Sequence, residues 1–193
     1  MSNFPLFETL CFEKGQLQNL CLHQQRMNKS LIEYYGSNSS LIDLEKISKT
    51  HNEFLNLDPN KVFRCRIDYN NQDYQLQIHH YNRKHYKTFQ TVICDDIDYH
   101  LKYSNRDQLN TLLAKKGNCD EIIIIKNGYV TDCSIGNLIF KKENQWFTPN
   151  TPLLHGTQRT KLLAENKIIE TTIQVNDIAT FDEIRLINAL NSL

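Results

Sequence analysis

The stretch "DEIIIIKNGYVTDCSIGNLIFKKENQWFTP", residues 120 to 149, constrains the fold more than any other part of the chain. Its run of isoleucines from 122 to 125 leaves no polar face, which fits a strand buried on both sides. Asn127 and Gly128 follow, the pair that best tolerates the positive φ of a two-residue hairpin turn. A second strand then runs through Val130 and Thr131 to Asp132, an apolar strand passes through Leu138 and Phe140, and a last one ends at Thr148 and Pro149.

Other segments read as helices and strands in turn. "FPLFETLCFEKGQL" predicts a strand turning at Gly15, and Leu20, Met27 and Leu31 share a helical face between residues 18 and 34, stopped by Gly36. Leu41, Leu44 and Ile47 repeat at helical spacing, which predicts a second helix from Ser40 to Phe54. In "KVFRCRIDY" and "DYQLQIHHY" apolar residues alternate with polar ones on either side of Asn70 and Asn71, a hairpin pattern. An extended stretch is expected near residues 86 to 94. "NRDQLNTLLAKKGN" and "HGTQRTKLLAEN" predict helices, and the final segment predicts two strands with a short helical piece between them. The fold class expected is α/β.

With 193 residues the chain can bury a real core, as one domain or two small lobes with a soft boundary near residue 98. No apolar run reaches the length of a bilayer span, and the opening residues lack an export signal, so a cytoplasmic protein is expected. Lys+Arg and Asp+Glu each number 22, which removes the broad electrostatic case for nucleic acid or an anionic membrane. The basic "RKHYK" at 83 to 87 reads as a solvated hairpin end. Cys11, Cys21, Cys65, Cys94, Cys119 and Cys133 are scattered singly, which predicts reduced and mostly buried thiols. His79 and His80 face opposite sides of a strand, and no metal is expected.

Several residues have chemical potential. Lys102, between an extended and a helical segment, is a nucleophile if its amine is unprotonated. Asp132 can pair with a protonated heterocyclic nitrogen. Gly156 leads into a helix whose first turn suits a phosphate, and the guanidinium of Arg26 can grip one through two hydrogen bonds. Singly, each also suits a solvated loop, a turn or an ordinary helix surface. Together they are the contacts that pyridoxal phosphate requires.

The segments "FETL" at 7 to 10, "HQQRM" at 23 to 27, "KYSNR" at 102 to 106, 120 to 140, "FTP" at 147 to 149, "LLHGTQR" at 153 to 159 and "DEIRLINAL" at 182 to 190 carry a resemblance. In this order they resemble the class IV, or fold type IV, pyridoxal-phosphate enzymes, which include branched-chain and D-amino acid aminotransferases and aminodeoxychorismate lyase. The resemblance implies a two-lobed fold, residues 1–97 and 98–193, with pyridoxal 5'-phosphate between the lobes. It makes Lys102 the Schiff-base lysine and Arg26 a phosphate ligand, with Gly156 and the backbone of Thr157 and Gln158 as the phosphate cradle. Asp132 stands where the family has a glutamate on the pyridine nitrogen, Asn137 follows beside the cofactor, and Asn188 of the late "NAL" joins the cofactor-binding set. His155, just ahead of the phosphate loop, is read as structural in preference to a substrate contact.

Within the family, Lys102-x-x-Asn105-Arg106 and "NAL" are most similar to aminodeoxychorismate lyase. That implies a small-molecule substrate, 4-amino-4-deoxychorismate, cleaved to p-aminobenzoate and pyruvate by a homodimer. Alternatives are an aminotransferase for branched-chain or D-amino acids, or a non-catalytic binding relative. The family's glycine-rich extension before "FET" is absent, the first lobe is short and the chain stops soon after "NAL". Asp132 is also one methylene shorter than glutamate.

Overall fold

The computed structural model describes residues 3–36 and 42–193. Its elements in chain order are β1 (Leu6–Glu13), β2 (Gln16–Leu17), α1 (Leu20–Tyr35), α2 (Leu44–Thr50), α3 (Asn52–Leu55), β3 (Phe63–Tyr69), β4 (Tyr74–His80), β5 (Phe89–Ile93) and α4 (Asp107–Leu113). There follow β6 (Glu121–Lys126), β7 (Tyr129–Val130), β8 (Asn137–Lys142), β9 (Gln145–Pro149), α5 (Thr157–Ala164), β10 (Ile169–Thr171) and β11 (Glu183–Ile187). Short 3₁₀ turns cover Ala114–Lys116 and Val175–Thr180. Residues up to Arg83, together with Leu101–Asn105, make one compact unit, and Lys84–His100 with Arg106–Leu193 make the other.

The first unit holds a sheet in the order β2-β1-β3-β4, antiparallel throughout. Alternation gives each strand one face to bury, so Leu6, Leu10 and Phe12 of β1 meet Cys65, Ile67 and Tyr69 of β3 and Met27 and Leu31 of α1 in one core. Gly36 ends α1 in the left-handed region, where its N–H bonds to the Ile32 carbonyl. The single helix expected from Ser40 to Phe54 is instead two, α2 and α3. Ser40 and Leu41 lie outside the described residues, and His51 adopts an extended backbone that breaks the helix. Asp43 caps α2 by accepting the Lys46 N–H at 3.0 Å, so the helix starts there and not earlier.

The second unit contains a β5-β6-β7 sheet and a β10-β9-β8-β11 sheet. β6 lies between parallel β5 and antiparallel β7, and its isoleucines are buried on both faces, as the unbroken apolar run predicts. Asn127 and Gly128 both have positive φ at the turn between β6 and β7. Ile123, Ile125, Val130, Leu138, Phe140 and Leu186 form the main core of this unit.

Two further expectations are corrected. All six cysteines are free, but only Cys11, Cys65 and Cys133 are buried; Cys94 and Cys119 are half-buried and Cys21 is exposed. The basic segment 83–87 is not a hairpin end but part of the coil joining β4 to β5, largely exposed, with Arg83 paired to Glu13 at 2.7 Å. Among the described residues no helix is long and apolar enough to cross a membrane.

Candidate active site

In the first unit Lys102 lies on a strip that runs beside β1. The Phe7 N–H donates to the Lys102 carbonyl at 3.0 Å, the Ser104 N–H donates to the Pro5 carbonyl at 2.7 Å, and Leu6 bridges Tyr103 antiparallel. This register puts the Lys102 side chain on the same face as Phe7, with Nζ 4.7 Å from the centre of the Phe7 ring. Extended backbone at that edge, and not a helix or free loop, sets where the half-buried amine points.

Arg26 belongs to the same unit. Its Nε and Nη2 donate to the two oxygens of Glu8 at 2.9 and 2.6 Å, and His23 Nδ1 lies 2.7 Å from Glu8 Oε2. His23 and Arg26 are one helical turn apart on α1, while Glu8 occupies an inward position of β1 between Leu6 and Leu10. Burial pulls the Glu8 carboxyl upward, but the Arg26 guanidinium and the hydrogen bonds from His23 and Arg26 outweigh it and hold its pKa at about 2. Burial pushes His23 down, and the charges of Arg26 and Lys102 reinforce that direction against Glu8. A neutral His23 donating to an ionised Glu8 accounts for both directions. Glu8 and His23 do not stand out in the sequence; the available signal is a carboxylate at a strand position whose parity faces the core.

In the second unit Asp132 lies at the mouth of a tight turn. It bridges Asn137, and the Cys133 N–H donates to the Gly136 carbonyl at 3.0 Å. The carboxylate is 4% exposed and accepts from the Asn137 amide at 2.7 Å and the Leu154 N–H at 2.9 Å. Burial pushes Asp132 up to about 6, against the opposing pull of those two bonds and of the Arg159 charge. Among the described residues no cationic group is hydrogen-bonded to it.

Asn137 also donates to the Leu154 carbonyl at 2.9 Å, fixing the segment that precedes α5. Gly156 is the N-cap of α5, and a Cβ there would fall 2.0 Å from Asn137 Oδ1, so only glycine lets Asn137 and the helix start approach. Thr157 and Gln158, both buried, form the first turn. Asn188 donates to the Ile135 carbonyl at 3.2 Å and accepts from the Leu190 and Asn191 N–H groups, so it secures the far side of the same turn. The second unit thus brings Asp132, Asn137 and Gly156 into direct contact, with Asn188 on the adjoining turn. In the first unit Lys102 stands by Phe7 on one face of β1, and Arg26 is bound to Glu8, which points from the other. His155 is exposed.

The groups of the second unit fit pyridoxal phosphate on chemical grounds. A buried carboxylate held only by neutral donors is matched by a protonated ring nitrogen, and an eight-residue helix that starts at glycine presents its first-turn N–H groups without a capping side chain.

The family model described as amino-transferase class IV matches residues 5–193. An uncharacterized protein of Haemophilus influenzae, strain Rd, is 56% identical over 191 residues, 98% of this chain and all of that protein. The crystal structure of a protein from Haemophilus somnus 129PT, provisionally named a 4-amino-4-deoxychorismate lyase, matches with a TM-score of 0.96 and 53% identity over the whole of both chains. The pyridoxal-phosphate-bound form of a hypothetical aminotransferase from Mycobacterium tuberculosis shares the fold, with a TM-score of 0.78 at 14% identity over 98% of this chain and 78% of that one. The chain therefore belongs to the amino-transferase class IV family.

Proposed function

We propose that the protein is a pyridoxal-phosphate-dependent aminodeoxychorismate lyase that converts 4-amino-4-deoxychorismate to p-aminobenzoate, a folate precursor, and pyruvate. The observation that carries the reading is the 53% identity, over the full length of both chains, to the Haemophilus somnus protein. The buried Asp132, with its raised pKa and no cationic hydrogen-bond partner among the described residues, supports the cofactor.

When bound, pyridoxal phosphate supplies an aldehyde that takes up an amine and a cationic ring that draws electrons from the carbon bearing that amine. In this reading Lys102 Nζ would anchor the group between turnovers and, with substrate bound, would remove the proton from the amine-bearing carbon. Asp132, held by Asn137 and Leu154, would keep the ring nitrogen protonated. Arg26, whose guanidinium Glu8 fixes, would be a phosphate ligand, and so would the N–H groups of Thr157 and Gln158 after Gly156. Asn188 steadies the turn that follows Asp132. Loss of the ring proton and cleavage of the ether C–O bond leave an aromatic ring; the departing three-carbon enolate takes a proton and becomes pyruvate. Atoms balance without an oxidant, a reductant or a second substrate. The family pattern carries a homodimer with this reading.

The test is pyruvate release from 4-amino-4-deoxychorismate with no keto acid added, comparing wild type with Lys102→Ala. The expected result is release by wild type and a loss of about a thousandfold or more in the variant, which lacks both anchor and base. Product that appears only with a keto-acid acceptor identifies an aminotransferase instead, and a protein that neither binds pyridoxal phosphate nor turns over is a non-catalytic relative.

A further inference from the structure

The sheet face that carries Lys102 carries a second cation that the reaction above does not use. Phe7 pairs with Asp68 and Thr9 with Arg66 across β1 and β3, so Lys102, Phe7, Asp68 and Arg66 all project from the sheet face opposite Leu6, Glu8 and Leu10. Over the Phe7 ring stand both Lys102 Nζ, 4.7 Å from its centre, and the Arg66 guanidinium carbon, 3.8 Å from it. Arg66 is itself held in place. Its Nε donates to Asp68 Oδ2 at 2.7 Å and its Nη2 to Asp68 Oδ1, a two-point grip. The Ser104 hydroxyl donates to the same carboxylate at 3.3 Å, tying the grip to the strip that carries Lys102. The Nη1 edge of Arg66 pairs with no other group among the described residues, and the side chain is 22% exposed.

An arginine locked on one edge and open on the other, beside the lysine proposed to take up the cofactor's aldehyde, is equipped to take a planar anion. We infer that Arg66 binds a carboxylate of the substrate through Nη1, with Asp68 and Ser104 as positioning residues and the Phe7 ring as the platform on which the guanidinium rests. This deepens the proposed function and rests on it for the identity of the substrate. Its chemical content is narrower: a ligand with an amine at one end and a carboxylate at the other is preferred to its uncharged analogue.

The test measures binding to the full-length protein by calorimetry, using p-aminobenzoate and its neutral amide, p-aminobenzamide. Wild type is expected to bind the carboxylate at least about tenfold more tightly than the amide, Arg66→Gln to lose that preference, and Arg66→Lys to retain only part of it because an ammonium cannot reproduce the fork. Asp68→Asn, which leaves Arg66 in place but loosens its grip, is expected to weaken carboxylate binding and to leave amide binding unchanged. Equal binding of the two ligands by wild type, no binding of p-aminobenzoate, or a preference intact in Arg66→Gln overturns the inference. Failure of the proposed function is read separately: an Arg66-dependent preference in a protein that releases no pyruvate keeps this subsite and removes the lyase, whereas pyruvate release with no such preference does the reverse.

Discussion

At the scale of single residues, Asp132 carries a measurable consequence of its burial. An acid whose native pKa is raised binds its proton more tightly in the folded chain than in the unfolded one. Its contribution to stability therefore falls as pH climbs from the ordinary 3.8 toward about 6, and stays low above that. The size is about 3 kcal/mol by linkage. In cofactor-free protein, urea unfolding of wild type and Asp132→Asn is expected to show wild type losing ground to the variant between pH 4 and pH 7. The variant has its own constant cost, since an amide cannot accept from both Asn137 and Leu154, but that cost does not change with pH in this window. A difference that stays flat across the window would show that this carboxylate does not titrate as its burial implies. Glu8 runs the other way: its pKa of about 2 means that its contribution is complete above its ordinary value of 4.5 and fades as pH falls toward 2.

Among the elements, the turn from Asp132 to Asn137 is where packing is least forgiving. A Cβ on Gly136 would lie 2.5 Å from the Ile187 carbonyl oxygen and 2.6 Å from Leu186 Cδ1, both on β11. A backbone oxygen inside a paired strand cannot step aside, so Gly136→Ala is expected to cost about 3 kcal/mol or more in urea unfolding. Gly117 is the control. It has positive φ but nothing within 4 Å of a would-be Cβ, so Gly117→Ala should cost backbone strain alone, about 1–2 kcal/mol. Equal costs at the two positions would mean that the turn yields when β11 is pressed. The strip from 101 to 105 is the second critical element, because its pairing with β1 turns Lys102 and Ser104 toward the Phe7 and Asp68 face.

Across the whole molecule, what the sequence revealed was what local periodicity controls. The isoleucine run, the Asn127-Gly128 turn, the hairpin around Asn70 and the end of α1 at Gly36 follow from patterns only a few residues long. The break at His51 did not, because the apolar spacing continues across it and only the cap at Asp43 and the extended His51 backbone divide the segment. The grouping of Glu8 with His23 and Arg26, and of Arg66 with Asp68 and Ser104, was equally hidden: each joins residues 15 to 36 positions apart in at least one of its bonds, through strand register that no single segment encodes. Asp132 was legible as a strand-end acid, whereas its clamp by Asn137 and Leu154 depends on a turn and a loop packed after the strands form. Lys102 is the residue proposed to hold pyridoxal phosphate. Incubating the full-length protein with the cofactor, reducing with borohydride and locating the pyridoxyl group by peptide mass spectrometry tests this directly. The predicted result is one pyridoxyl group on Lys102, absent from Lys102→Ala; a label on another lysine, or none at all, would contradict it.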